Sequence, residues 1–323
     1  MSGNDSTLKT NDQTIQFLNA ELLDSDGKPR LTNATIVGDQ FIDITSANHL
    51  QDGATVIDAK GSLLIPGLHD HHTHLIAYAA SLVSINCGPP NVVSEADLKS
   101  ALQRQAGRHW LRGTGYHESV LGHLDRQWLD TWAPERPIRI QHRSGRLWIF
   151  NSLGMEMIAN AALRLAPHER ARLTSDDGRL YDVDELLGNL TRSDVPPVKL
   201  ASQQLAAFGV TGLNDMTPSN NPETWQWFSE LQRSRDLLQK VRMSGRPELF
   251  GCEQTPRLSV GETKIHLHDS SLPDLDDFIS TIKKSHQQQR NVAVHCVTEV
   301  ELVYTLSAFR SASTLTGDRI EHA

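Results

Sequence analysis

The chain has 323 residues and a net charge of −8 from 31 basic and 39 acidic residues, which leaves no basic footprint for nucleic acid. That length can bury a large core, and it exceeds the usual single-domain size unless it builds a barrel with additions. Cys87, Cys252 and Cys296 are odd in number and far apart, which argues against a disulfide framework and suits reduced thiols. The polar start MSGNDSTLKTNDQ lacks the regions of a signal peptide, and the longest apolar stretch, near 75–85, is too short for a bilayer span. A cytoplasmic protein without membrane or nucleic-acid partners is expected.

Residues 14–60 hold short apolar segments (TIQFLNAELL, ATIVG, FIDIT, ATVIDA) separated by Asp, Gly, Asn and Pro, which read as a small set of strands. Residues 63–75, LLIPGLHDHHTHL, form an apolar run that turns at Pro66 and Gly67 and then sets Asp70, His72 and His74 at every second position. On extended backbone alternate side chains share a face, so the Cα atoms of His72 and His74 stand ~6.7 Å apart and their rings can converge on one ion. Asp70 is placed to orient an imidazole or approach the ion, while His69, His71 and Thr73 face away. The run LLI is expected to be the buried first strand of a barrel, with the histidines just past it.

From 88 to 199 lie strand-like HWLRGTGY and PIRIQHRSG and helix-like WIFNSLGMEMIANAAL, more than a plain loop needs, so this stretch reads as an insertion. A helix carrying Leu200, Leu205 and Phe208 follows. Strands GVTGLND, QKVRMSG, TKIHLHD, NVAVHC and RIEHA then come in turn. Alternation puts Lys264, His266 and His268 on one face, sets His295 opposite Val292, Val294 and Cys296, and puts Ile320 with His322. One intervening helix buries a stripe of Leu275, Phe278, Ile279 and Ile282. The next opens on a Thr298/Glu301 capping box and buries Leu302, Leu306 and Phe309. Any one of these histidines alone reads as structural or solvated; their joint placement near strand ends points to a metal. The Gly115–Glu118 run and Asp215 with Thr217 read equally as structure or site.

In this order, PGLHDHHTHL, HRSGRLWIFNS, FGVTGLNDMTP, TKIHLHD, AVHCVTE and DRIEHA resemble the amidohydrolase superfamily of metal-dependent hydrolases. The branch is similar to amidohydrolase 3, which includes N-substituted formamide deformylase-like enzymes, and the likeness covers nearly the whole chain after the first dozen residues. It implies an α/β fold: an incomplete TIM-like (β/α)8 barrel at 61–87 and 200–323, a partial N-terminal β-sandwich at 1–60, and an inserted subdomain at 88–199 over the active face. It further implies His72 and His74 on one divalent ion, His295 and His322 on another, and Lys264 between them as a carbamate formed with carbon dioxide. Zinc is the expected metal, one or two ions, with iron or manganese as alternatives. His142, Arg143 and Ser144 are implied to orient a small amide substrate.

The reaction expected from the resemblance is hydrolysis of an amide-type C–N bond in an N-acyl or N-formyl amine by metal-activated water. A deaminase of the same superfamily and a noncatalytic metal-binding remnant are the alternatives. One departure stands out: the family carries a catalytic aspartate at the end of the eighth strand, and only six strands are counted here. Asp269 and Asp318 do not match that position, so the catalytic residue is unassigned. A fragment with two open sheet edges, poorly soluble or inactive alone, is the expectation.

Overall fold

The computed structural model describes residues 13–323 apart from 39, 46–49, 105–109, 134 and 191–195. The chain divides into two compact units, Met1–Gly67 and Leu68–Ala323.

In the first unit β1 (Thr14–Leu23), β2 (Pro29–Val37), β3 (Gln40–Thr45) and β4 (Thr55–Asp58) form one sheet in the order β3-β2-β1-β4. The β1–β2 turn is made by Asp24, whose carboxylate accepts from the Asp26 and Lys28 N–H groups and from Arg30 Nε. Ala20 and Ala34 are buried, whereas Phe41, Ile42, Ile44, Val56 and Ile57 are exposed. The expected sandwich therefore appears among the described residues as a single layer. Leu63 and Ile65 are also exposed and belong to this unit, so the LLI run is not a barrel strand. Pro66 lacks an N–H and cannot sit inside a ladder, so the strand starts after it and contains the histidines.

The second unit begins with β5 (Leu68–Thr73). The chain then leaves to build β6 (Ile85–Asn86), β7 (Leu111–Tyr116), β8 (Ile138–His142), β9 (Leu147–Phe150) and β10 (Arg179–Tyr181), a separate sheet in the order β10-β9-β8-β7-β6. Trp148–Phe150, read from sequence as the start of a helix, is strand; Asn151 ends it and caps the helix Ser152–Ala161 by accepting from Gly154 N–H. The chain returns as β11 (Val210–Asp215), β12 (Lys240–Gly245), β13 (Leu258–His266), β14 (Val292–His295) and β15 (Arg319–Glu321).

These strands join β5 in an all-parallel six-stranded sheet, β15-β14-β13-β12-β11-β5. Each strand is added on the same side in chain order, with helices between. That is the winding of a (β/α) barrel, because a doubly wound sheet would reverse direction at its first strand. Six strands curl into a half-barrel, and among the described residues β5 and β15 each pair on one side only.

The outer face is held by two apolar clusters. Leu213, Val241, Met243 and Leu258 pack with Val198, Ala201, Trp225 and Phe228, and Val292, Val294 and Cys296 pack with Phe278, Ile282, Ala308 and Phe309. Helix Glu299–Ala312 carries the expected capping box, but its buried stripe is Glu301, Thr305, Ala308, Phe309 and Ala312, with Leu306 at the surface. Helix Val198–Ala207 likewise buries small residues, Ala201 and Ser202, while Leu200 and Phe208 are exposed. The alternate side chains of the strands are left for the inner face, where the histidines are.

Candidate metal centre

Between β5 and β11 the ladder slips. From Asp70 to Thr73 β5 advances three residues while its partner goes two, from Leu213 to Asp215. Such a bulge interrupts strict alternation and re-aims the side chains that follow. Asp70 does not reach an imidazole: its Oδ1 accepts from the His72 main-chain N–H at 3.0 Å. It shapes the bulge instead of orienting a ring.

Beyond the bulge, His72 Nδ1 lies 2.6 Å from Glu321 Oε2 at the end of β15. A carboxylate only accepts, so Nδ1 carries a proton and it is Nε2 that faces away from Glu321. The ring centroid of His72 is 5.4 Å from that of His74 and 4.8 Å from that of His322, and His322 lies 4.7 Å from His295. The four expected imidazoles are thus brought together from three separate strands. His322 arrives there against the alternation read from sequence. β15 stops at Glu321, His322 has a left-handed φ of 70°, and Ile320 packs outward on the helices. The left-handed residue turns the histidine onto the face that Glu321 occupies, at a cost of about 1–2 kcal/mol.

Lys264 is buried on β13, and its Nζ has no hydrogen-bond partner among the described residues. Burial lowers its pKa to about 8; the Glu321 carboxylate opposes that shift and Arg319 adds to it. Burial also pushes His295 down to about 4, helped by His322 and Lys264. His74 and His322 are lowered as well, burial being the main cause in each. Rings held neutral are rings with a lone pair to donate.

His266 joins the group although it was not among the expected ligands. Its ring lies 4.2 Å from His295 and 4.3 Å from His268, and burial takes its pKa to about 3. Alternation from Lys264 was the sequence signal for it. Glu321 had no local signal at all. Among the described residues no three His, Cys, Asp or Glu side chains are already converged on a single point as a metal trio. The donors are gathered but not closed, and the unbonded lysine lies with them.

Asp215 is fully buried and accepts from Leu75 N–H, Thr217 N–H and Asn220 Nδ2; Thr217 Oγ1 in turn meets His74 Nδ1 at 3.1 Å. Asp318, excluded from a catalytic role above, is occupied by His286 and by the Val292 and Leu315 N–H groups.

His142, Arg143 and Ser144 sit at the end of β8 in the inserted sheet. His142 Nε2 donates to Glu118 at 3.0 Å, its Nδ1 accepts from Ser144 N–H at 3.1 Å, and the His117 ring stacks on it at 6.3 Å. No hydrogen bond or ring contact among the described residues joins these three to the imidazole cluster. Arg146 and Asp182, which sequence reasoning missed, pair through two hydrogen bonds of 2.8 and 2.7 Å. Asp269 and Glu301 act electrostatically on Arg146, and His268 on Asp182, which places this pair beside the segments that follow β13 and β14.

Among known proteins, the chain is 25% identical over 130 residues to Protein LONG AFTER FAR-RED 3 of Arabidopsis thaliana, covering 38% of this chain and 22% of that one. It is 24% identical over 160 residues to N-substituted formamide deformylase of Arthrobacter pascens, covering 46% of this chain and 30% of that one. The match therefore spans less than a third of either curated relative. The crystal structure of an uncharacterized metal-dependent hydrolase from Pyrococcus horikoshii superposes with a TM-score of 0.69 at 18% identity, over 95% of this chain and 70% of that one. A counterpart from Pyrococcus furiosus gives 0.66 at 18% identity, over 95% and 72%. Both likenesses concern the fold. Residues 55–323 match the Amidohydrolase family, and the chain belongs to that family.

Proposed function

We propose that this chain carries the metal centre of a hydrolase that cleaves an amide-type C–N bond in a small N-acyl or N-formyl amine. The observation that carries the reading is the gathering of His72, His74, His295 and His322 with a buried lysine whose amine has no hydrogen-bond partner among the described residues. The donor set fits one or two divalent ions, zinc first and iron or manganese next. When bound, such an ion polarises a scissile carbonyl and acidifies water.

The chain's own residues supply the rest. Glu321 holds the proton of His72 on Nδ1 and orients that ring, and Thr217, whose N–H is held by buried Asp215, holds the His74 ring at its Nδ1. The Lys264 amine, lowered to about 8, is nucleophilic enough to add to carbon dioxide with loss of a proton. The resulting carbamate offers two oxygens where the ammonium offered none. His142, Arg143 and Ser144 in the inserted subdomain are assigned to the substrate, with Glu118 holding His142 in place. No residue here is assigned the proton transfers of the attacking water.

The test is elemental analysis of the purified chain beside His72→Ala and His295→Ala, followed by a screen of N-formyl and N-acyl amines against aminated heterocycles. Near-stoichiometric metal that is lost in either variant is expected, and any turnover is expected to be confined to the amides. A folded chain that retains no metal would overturn the reading.

A further inference from the structure

Beside the imidazoles, the inner face of the sheet carries a run of charge that the expected metal ligands do not explain. Glu262 and Lys264 are two residues apart on β13, as are Arg319 and Glu321 on β15, so each pair shares a face. Register sets Lys264, Ala293 and Arg319 in one row across β13, β14 and β15, and His266, His295 and Glu321 in the next. Ala293, the middle residue of its row, is buried and offers only a methyl group. That leaves room for the Arg319 side chain to cross β14, and its Nη2 comes within 4.0 Å of Glu262 Oε2.

Three groups from three elements locate that guanidinium. On its own strand, Nε stands 2.8 Å from Glu321 Oε1, a contact that is an ion pair and not a hydrogen bond. Nη2 faces Glu262 across β14 and meets Met216 Sδ, just past β11, at 3.0 Å. Glu262 is itself anchored: it is buried, its Oε2 accepts from Ser244 Oγ at 2.6 Å, and its Oε1 lies 3.5 Å from Arg242 Nη2. The far end of Arg319 is thereby tied to β12 and β13, and its near end to the carboxylate that holds His72.

Glu321 uses one oxygen for His72, and its other is buried without a hydrogen bond among the described residues. Its side chain is only 13% exposed, which leaves little water to replace the guanidinium, and a buried carboxylate without a counter-charge is costly. Freed from Arg319, the carboxylate would turn toward another cation. Lys264 is the one at hand: it acts on Glu321 electrostatically, and its Nζ has no hydrogen-bond partner among the described residues. Such a turn would draw Glu321 off His72. Arg319 therefore decides which neighbour the carboxylate serves.

We infer that Arg319 is a positioning residue of the metal centre: braced on Glu262, it fixes Glu321 on His72 and keeps that carboxylate from Lys264. Its effect on the ion rests on the metal-centre reading; its hold on Glu321 does not, and the first test uses no metal. In the full chain stripped with a chelator and isotopically labelled in its histidine rings, the His72 Nδ1–H proton held by Glu321 should give a low-field magnetic-resonance signal, identified by its loss in His72→Ala. Arg319→Met should move that signal upfield or abolish it, and Arg319→Lys, which keeps the charge, should restore part of it. Chelator competition then measures the affinity of the parent and the same variants for zinc.

Zinc binding is expected to weaken about tenfold in Arg319→Met and to recover in part in Arg319→Lys. Made in the Glu321→Gln chain, Arg319→Met should weaken it by less than about twofold, because the arginine acts through that carboxylate. A His72 signal indifferent to Arg319→Met, or an equal loss of affinity with and without Glu321, would overturn the inference. Circular dichroism checks folding. Should Arg319→Met not fold, Glu262→Gln takes its place: it keeps an acceptor for Ser244, slackens the far end of Arg319, and is expected to move the signal the same way, no movement being the refuting result. A parent chain that binds no zinc would overturn the metal-centre reading and leave the proton signal to decide on Arg319.

Discussion

Arg290 is 5% exposed and, among the described residues, meets no carboxylate at hydrogen-bond distance; its guanidinium donates to five main-chain carbonyls. Gly261 and Glu262 O accept at 2.7 and 2.8 Å, Arg246 O at 2.9 Å, and Pro247 and Gly245 O at 3.2 and 3.4 Å. One side chain thus clamps the end of β12 to the middle of β13, two residues before β14 begins. A hydrogen bond to a charged group contributes about 1.5–3 kcal/mol, and a buried acceptor left without a partner costs about 1–3 kcal/mol. Only the three shortest bonds are counted in full, and the cost of burying the cation is subtracted. Arg290→Met is then expected to destabilise the chain by about 3–5 kcal/mol, a large part of an ordinary domain's 5–15 kcal/mol. Arg290→Lys keeps the charge but not the fork, and should lose about 2–3 kcal/mol. Urea unfolding gives both values from the shift in midpoint at constant slope. The same variants should lower metal occupancy, because β13 and β14 carry Lys264, His266 and His295. A loss under about 1 kcal/mol for the methionine variant would refute this account of the clamp.

Three further outcomes are expected. Glu321→Gln removes the anion that holds His72, and should weaken metal binding by about 10–100-fold in chelator competition without a comparable loss of stability; unchanged affinity would detach Glu321 from the site. Burial pushes the Cys87 thiol up from 9.0 to about 12, so the folded chain keeps a proton that the unfolded chain releases. The contribution is complete below pH 9.0 and is lost as pH rises toward 12, at about 1.4 kcal/mol per pH unit; Cys87→Ala should flatten that slope, and parallel slopes would contradict it. In Gly113→Ala the new Cβ would stand 2.6 Å from Cys87 Sγ and 3.0 Å from Ile140 Cγ1. A loss of about 1–3 kcal/mol is expected, partly recovered in the double variant with Cys87→Ala; strict additivity would show that the sulfur is not the obstacle.

Periodicity is a local property, and what depends on it was legible in the residues. Alternation marked Lys264 and His266 for one face and His295 for the face opposite Val292, Val294 and Cys296, and the Thr298/Glu301 pair marked the start of its helix. The order of short strands and amphipathic helices was enough for an α/β barrel winding. Two local readings failed for reasons that are not local. Strict alternation through Asp70, His72 and His74 broke at a bulge created by the partner strand, and His322 turned inward on a left-handed φ just past the last ladder pair. Leu200, Leu306 and Phe208 are apolar yet exposed, since which stripe a helix buries is decided by the sheet beneath it.

The residue types able to hold an ion were therefore determined by sequence alone, as was their distribution among separate strand ends. Their convergence was decided by tertiary structure. His72 meets Glu321 across 249 positions, a pairing that no spacing encodes because it depends on how many strands stand between them and how each ladder is registered. The same holds for the burial of the Lys264 amine, which finds no hydrogen-bond partner among the described residues. Burial and register belong to the assembled sheet, and a side chain acquires its charge state and its neighbours only there.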